Sequence, residues 1–254
     1  MNDVPRSPAL ELSHVSKAFG HVVALDDVSL KVESGEVTAI VGDNGAGKST
    51  MMKVLSGVYP ADRGELRVNG KPTVLTNPAA AREHGIAIVF QNLALVECLD
   101  VAANMYLGRQ IRKWGVFANK KAMIEGAADT LTELKVRVPS VRVPVGILSG
   151  GQRQAVAVAR AVQQNTPIIL LDEPTAALGY RETLQVLTVI GQLRDAGKAV
   201  AIVSHDLAMV FDVADVIVVM RLGRVHAVRR RETADRTEIV GLITGAIEAD
   251  RRAA

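Results

Sequence analysis

Gly42-Asp43-Asn44-Gly45-Ala46-Gly47-Lys48-Ser49-Thr50 is the stretch on which the fold turns. It fits the pattern G-x-x-x-x-G-K-[ST], with an additional glycine at Gly45. Ahead of it, Val37-Thr38-Ala39-Ile40-Val41 is an apolar, β-branched run that reads as a buried strand. Behind it, Met51-Met52-Lys53-Val54-Leu55 reads as a helix stopped at Gly57. Glycines let such a loop curl so that successive N–H groups face phosphate oxygens, and the helix N-terminus adds partial positive charge. The whole stretch is therefore assigned to a nucleotide, with Lys48 reaching the β- and γ-phosphates and the Ser49 hydroxyl ligating Mg²⁺. A glycine-rich turn with a chance lysine would not explain the strand and helix on either side.

The chain has 254 residues, enough for one large domain or two small ones. Hydrophobic residues make up 48% but aromatics only 3%, so alanine and valine must fill the interior. The longest apolar runs are strand-length, and no transmembrane helix is expected. Met1-Asn2-Asp3-Val4-Pro5 lacks a basic region followed by an apolar one, so no secretory signal is expected. The single cysteine, Cys98, is expected to pack as a small apolar residue rather than to react. A net charge of +3 does not argue for a nucleic-acid partner. The clusters Arg229-Arg230-Arg231 and Arg251-Arg252 read first as solvated surface and second as contacts to an anionic membrane.

Ala9 to Val15 and Val22 to Val32 alternate in polarity, as in an antiparallel sheet with one wet face. Asp26-Asp27 interrupts the second as a bulge or a turn. Glu65 to Val68, Asn69-Gly70 and Pro72 to Leu75 read as a hairpin. Ile86 to Phe90, Ile168 to Leu171, Ala199 to Val203 and Val216 to Met220 are nearly all apolar, as strands of a parallel sheet covered on both faces are. Asn77-Pro78 opens a short helix that Gly85 closes. Between about residues 95 and 163 the pattern becomes helical, with Ile124, Ala127, Ala128, Leu131 and Leu134 on one face. This segment is expected to be a helical subdomain inserted between strands of a single domain over 1–254. Trp114, beside Gly115, is given no role. Val186, Val189, Ile190 and Leu193 mark another amphipathic helix ended by Gly197, and a strand pair and a closing helix are expected at the end of the chain.

Two further motifs carry chemistry. Ile168-Ile169-Leu170-Leu171-Asp172-Glu173 is an apolar strand ending in two carboxylates. The first can hold Mg²⁺, directly or through water; the second can orient and deprotonate an attacking water. An acidic turn after a strand would look the same, and the phosphate loop is what favours the catalytic reading. Leu148-Ser149-Gly150-Gly151-Gln152 combines a serine cap, two glycines and a helix start, which makes a second anion site. Two such sites in one chain suggest head-to-tail pairing, with one subunit's loop meeting the other's nucleotide.

On these motifs the chain resembles the ATP-binding cassette of ABC transporters over nearly its whole length. Leu148 to Gln152 matches the family signature without a change. The resemblance implies an α/β fold: a P-loop NTPase core with a mostly parallel sheet, an antiparallel edge β-subdomain and an inserted helical subdomain. It implies that ATP and Mg²⁺ are the ligands and that Ser149, Gly151 and Gln152 meet the partner's nucleotide. It also implies that Gln91, in Val89-Phe90-Gln91-Asn92, touches Mg²⁺ and links the sheet to the helical subdomain. His205, in Val203-Ser204-His205-Asp206, would contact the γ-phosphate, and Phe19 would stack on adenine. One motif departs. After Asp172-Glu173-Pro174-Thr175 the family has Ser-Ala-Leu-Asp, whereas this chain has Ala176-Ala177-Leu178-Gly179. The acid that crosses the dimer interface is missing, while Glu173 is retained.

Gly57-Val58-Tyr59-Pro60-Ala61-Asp62-Arg63-Gly64, Asn77-Pro78-Ala79-Ala80-Ala81 and Gly241-Leu242-Ile243-Thr244-Gly245-Ala246 are similar to segments of ribose, xylose and fructose uptake cassettes. Many of those subunits carry two fused cassettes; this chain has one. The expected protein is a peripheral ATPase on the cytoplasmic side of the membrane, powering import of a monosaccharide. Its expected partners are the membrane permease subunits, a second copy of itself and, indirectly, a periplasmic or extracellular sugar-binding protein. The family docks a membrane-subunit helix between sheet and helical subdomain, so Leu93-Ala94-Leu95-Val96 and Cys98-Leu99 are read as part core and part docking groove. A soluble ABC protein acting on nucleic acid or ribosomes is the rival. Such proteins carry fused cassettes, a long coiled coil or basic extensions, none of which is visible here. A P-loop GTPase is disfavoured because no Asn-Lys-x-Asp motif occurs.

Overall fold

The computed structural model describes residues 7–113, 117–163, 166–176 and 178–248. Met1 to Pro5, Trp114-Gly115, Ala177 and Arg251-Arg252 lie outside the described residues.

In chain order, β1 (Leu10–Phe19), β2 (Val22–Val32) and β3 (Val37–Gly42) precede α1 (Lys48–Leu55). Next come β4 (Arg63–Val68), β5 (Lys71–Pro72), α2 (Pro78–Glu83), β6 (Ile86–Val89) and α3 (Val101–Met105). A small pair, β7 (Arg112–Lys113) and β8 (Phe117–Ala118), leads to α4 (Lys120–Glu133), a 3-10 turn at Val145–Ile147 and α5 (Gly150–Gln163). The remainder is β9 (Ile168–Asp172), α6 (Tyr180–Asp195), β10 (Ala199–Val203), α7 (Leu207–Val213), β11 (Val216–Arg221), β12 (Arg224–Arg230) and α8 (Arg236–Thr244).

The main sheet has the order β12-β11-β3-β10-β9-β6. All its pairs are parallel except β11 with β12. The apolar runs are continuous because both faces are covered. On β9, Ile169 and Leu171 join one core with α5, α6 and α7, while Ile168 and Leu170 join another with β1, β2 and α1. The period-2 alternation thus splits each run between two cores rather than between core and solvent. Leu170 and Leu171 are both fully buried, so truncation of either to alanine would cost about 2–5 kcal/mol.

The second sheet, β2-β1-β4-β5, is antiparallel. The interruption at Asp26-Asp27 is a bulge: the β1–β2 register shifts between Leu12 and Val15 and again between Val15 and Lys17, and Asp27 takes a positive φ of 57°. The Asn69-Gly70 hairpin forms, but its second arm pairs only over Lys71–Pro72, shorter than the alternation suggested. Beyond Pro72 a single backbone bond remains, from the Thr73 N–H to the Leu66 carbonyl at 2.8 Å.

The helical segment contains α3, α4 and α5, whose Ala127, Leu131 and Val156 belong to the same buried cluster as Val37 and Ile169 of the sheet. Asn104, fully buried on α3, ties down the chain before it. Its Oδ1 accepts from Val96 N–H at 2.7 Å, and its Nδ2 donates to the carbonyls of Val96, Leu99 and Asp100 at 3.0, 3.1 and 3.0 Å. This staple pulls the backbone inward and leaves Cys98 at the tip of the turn. Cys98 is exposed, which corrects the expectation that it packs as a core residue. The basic cluster near the end of β12 is surface: Arg229 pairs with Glu238 and Arg230 with Glu36. Among the described residues no helix is long and apolar enough to cross a membrane.

Candidate functional site

A parallel sheet sends its strand ends to one edge, and ligands bind where the connections leave in opposite directions. Here β3, β10, β9 and β6 lie side by side, and the loops that follow them carry the phosphate loop, His205, the Asp172-Glu173 pair and Gln91. These loops wall a cleft of ≈ 440 Å³. Asn44, Gly45, Gly47, Lys48, Ser49, Thr50, Gln91, Asp172, Glu173 and His205 line it, together with Val22, Val23 and Ala24 from the start of β2.

The loop between β3 and α1 has its shape from Gly47, which caps α1 at φ 100°. A Cβ there would lie 2.6 Å from the Ala24 carbonyl oxygen, so no larger residue fits. Gly42, Asp43 and Ala46 belong to the loop but do not line the cleft. The Lys48 ammonium, buried at 8% exposure, donates to the Gly42 and Asp43 carbonyls at 2.6 and 2.9 Å. Burial pulls the Lys48 pKa down, against the opposing pull of Glu173, Asp43 and Asp172.

Asp172 ends β9, and burial followed by the adjacent Glu173 charge raises its carboxyl, with Lys53 and Lys48 acting the other way. Glu173 adopts a left-handed backbone at φ 51°, a strained conformation for a non-glycine residue, held by its N–H to the Val203 carbonyl at 2.9 Å. The turn aims the carboxylate at His205: Glu173 Oε2 lies 2.9 Å from His205 Nδ1. His205 itself is largely exposed to the cleft.

Among the described residues no three His, Cys, Asp or Glu side chains form a metal cluster. The donors that converge are instead the hydroxyl of Ser49, the amide of Gln91 and the carboxylate of Asp172, all on the cleft wall. This is a sparse set of hard oxygen donors, suited to Mg²⁺ that brings its own phosphate and water ligands. The raised Asp172 carboxyl, pressed against Glu173, fits a place that takes a cation.

Two expected groups lie elsewhere. Phe19 is off the cleft wall, one strand pair from it: it faces Val22 across the β1–β2 ladder, and its ring meets Tyr59 edge-on at 5.1 Å. Ser149, Gly151 and Gln152 do not line this cleft; they form the start of α5. Ser149 N–H donates to Gln152 Oε1 at 3.1 Å, and Gln152 N–H donates to Ser149 Oγ at 3.3 Å, a reciprocal cap. Gln152 also donates to the Arg137 carbonyl at 3.1 Å. Against this turn lies Glu182 of α6. Its carboxyl is held below the usual range by the Ser149 hydroxyl first, then by the N–H groups of Gly179 and Gly151.

Sequence reading missed Val22 to Ala24 and Glu182. The first carry no chemical signature. The second had one, a glutamate three residues after Gly179 at a helix start.

A second cavity, of ≈ 270 Å³, lies beside the Gln91 segment, where Ala94, Leu107, Ala157 and Arg160 face Ala81 and Ile88. Leu93 and Leu95 are half-buried against the core, while Val96 is exposed.

A family model described as "ABC transporter" matches residues 25–176. The chain is 42% identical over 238 residues to a xylose/arabinose import ATP-binding protein of Sulfolobus acidocaldarius, covering 94% of each. It is 42% identical over 255 residues to a fructose import ATP-binding protein of Rhizobium meliloti, covering 98% of each. A ribose import ATP-binding protein of Burkholderia ambifaria is 40% identical, and there the match spans 94% of this chain but 47% of that one. Among solved structures, a nucleotide-free ATP-binding cassette from an ABC transporter superposes with TM-score 0.81 at 28% identity, over 96% of both chains. A dimeric ATP-binding cassette in a post-hydrolysis state with ADP and Pi gives 0.73 at 26%, over 87% of this chain and 98% of that one.

Proposed function

This chain belongs to the ABC transporter family as an ATP-binding, ATP-hydrolysing cassette, and we propose that it powers the import of a monosaccharide. The xylose/arabinose, fructose and ribose import relatives support the sugar class. The observation that carries the catalytic reading is the convergence of Lys48, Ser49, Gln91, Asp172, Glu173 and His205 on one cleft, with Glu173 2.9 Å from His205.

In this reading the loop from Gly42 to Thr50 wraps the phosphates with its N–H groups, and Lys48 leaves the Gly42 and Asp43 carbonyls for the β- and γ-phosphates. Ser49, Gln91 and Asp172 would hold Mg²⁺, which would offset phosphate charge. Glu173 orients a water and accepts its proton as the water oxygen bonds to the γ-phosphorus and the bond to the ADP oxygen breaks. His205 holds the Glu173 carboxylate and faces the γ-phosphate. Phe19 stacks on adenine, entering beside Val22. Ser149, Gly151 and Gln152 serve the nucleotide of a second copy, paired head to tail.

The chain acts as one domain, with residues 95–163 as its helical subdomain. It sits on the cytoplasmic side of the membrane, bound to permease subunits through the groove beside the Gln91 segment. An extracellular or periplasmic sugar-binding protein acts on it only through those subunits, and no nucleic acid takes part.

Glu173→Gln tests the assignment. ATP binding should persist, turnover should fall by on the order of a hundredfold or more, and ATP-bound dimers should accumulate. Near-normal hydrolysis would sink the role given to Glu173.

A further inference from the structure

Glu182 sits at the third position of α6, against the first turn of α5. The fit is tight: a Cβ on Gly151 would lie 2.5 Å from the Glu182 Cβ, so glycine is needed for the stem to lie there. The carboxylate accepts the Gly179 N–H at 3.1 Å, and with its stem on Gly151 it lies beside the Ser149 hydroxyl and the Gly151 N–H, whose pull holds it below the usual carboxylate range. The Ser149 hydroxyl and the Gly151 N–H belong to the loop that the reading above assigns to the partner's nucleotide. A carboxylate and a phosphate are both anionic oxygen acceptors, and one hydroxyl and one N–H cannot serve the two at once. Two anions in contact there would also repel.

We infer that Glu182 is a positioning residue and a gate for the composite site. Within one chain it holds the phosphate-facing donors of the signature loop in place, and it must release them when head-to-tail pairing brings in the partner's nucleotide. This inference rests on the reading that the signature loop meets that nucleotide. Release is sterically simple. Glu182 is only partly buried at the start of α6, so its carboxyl group has room to turn away from the loop. The contact therefore sets a threshold: closure must supply phosphate contacts stronger than those that Glu182 already makes.

The test uses the full chain with Glu173→Gln, so that closed dimers persist. Adding Glu182→Gln removes the charge yet keeps an amide oxygen that can cap Gly179, since glutamine serves in a capping box as glutamate does. The ATP concentration for half-maximal dimerisation, read by sedimentation, should fall about tenfold, in keeping with the loss of charge-assisted hydrogen bonds. Thermal unfolding on the same preparation reports whether the monomer fold is intact. An unchanged or higher ATP requirement would show that Glu182 is only a helix cap and overturn the inference. Ser149→Arg in the same Glu173→Gln background separates the two claims. If it fails to block dimerisation, the signature-loop reading fails and takes the inference with it. If it blocks dimerisation while Glu182→Gln changes nothing, the inference alone fails. If Glu182→Gln does not fold, Glu182→Asp carries the test. Withdrawing the carboxylate by one methylene should lower the ATP requirement a few-fold, and no change would overturn the inference.

Discussion

The loop at 42–50 and the loop at 148–152 are built from the same parts, namely glycines, a hydroxyl residue and a helix start, yet they are balanced in opposite ways. The first carries its own cation: Lys48 lies on the Gly42 and Asp43 carbonyls. The second faces an anion: the Glu182 stem packs on Gly151 and its carboxylate takes the Gly179 N–H at 3.1 Å. A loop with its own ammonium attracts phosphate within one chain. A loop that already faces a carboxylate attracts it only when that carboxylate gives way. On the proposed reading, the difference would make nucleotide binding a property of one chain and closure a property of two.

The largest effect should separate the loops outright. Lys48→Ala should weaken ATP binding by the isolated chain on the order of a hundredfold, because a buried charge-assisted contact is lost. Ser149→Ala should leave that affinity within about twofold. Titration of a fluorescent ATP analogue measures both, and equal losses would collapse the distinction between the loops. A smaller effect is expected from Gly151→Ala. The added methyl drives into the Glu182 stem, and overpacking of this kind costs about 1–3 kcal/mol. Chemical denaturation should show it, and an unaltered midpoint would mean that α5 and α6 separate freely there.

The smallest effect concerns the first loop's surroundings. The Asp172 carboxyl is raised by burial and by Glu173, so its ionised form is costly in the folded chain. A group with a raised folded pKa favours folding below that pKa, and this contribution is lost as pH rises through it. Asp172→Asn should therefore raise the melting temperature of the nucleotide-free chain by a few degrees at neutral pH. The gain should shrink as pH falls toward the ordinary carboxylate range. A gain that does not change with pH would point to packing rather than charge.

The phosphate loop and the strand-end acids were legible because their chemistry depends on neighbours in the chain. The parallel sheet was legible because burial on both faces leaves continuous apolar runs such as Ile168 to Leu171. The strand order was not, since nothing in a run of valines says which other run lies beside it. Glu182 was missed because its meaning lies in Gly151, on another helix, and depends on how α5 packs on α6. The seven residues of α7 were missed although Asp206 caps them, accepting from Ala208 and Met209 N–H groups. A helix so short has too few turns to show a period. Cys98 was misplaced because a buried asparagine six residues away directs its turn, an arrangement that composition does not reveal.

Helix α5 begins at the signature loop, and its Arg160 donates to the carbonyls of Leu93 and Ala94 at 2.8 and 2.9 Å. These carbonyls belong to the strap that follows Gln91, so a single helix joins the signature loop to the groove beside that strap. Arg160 stands about 15 Å along the helix from Gly150. A ten-degree tilt about the signature end sweeps that guanidinium through roughly 3 Å, about the length of a hydrogen bond. Carbonyls gripped by two hydrogen bonds must follow, so the helix works as a lever whose short throw at one end becomes a displacement of the strap at the other.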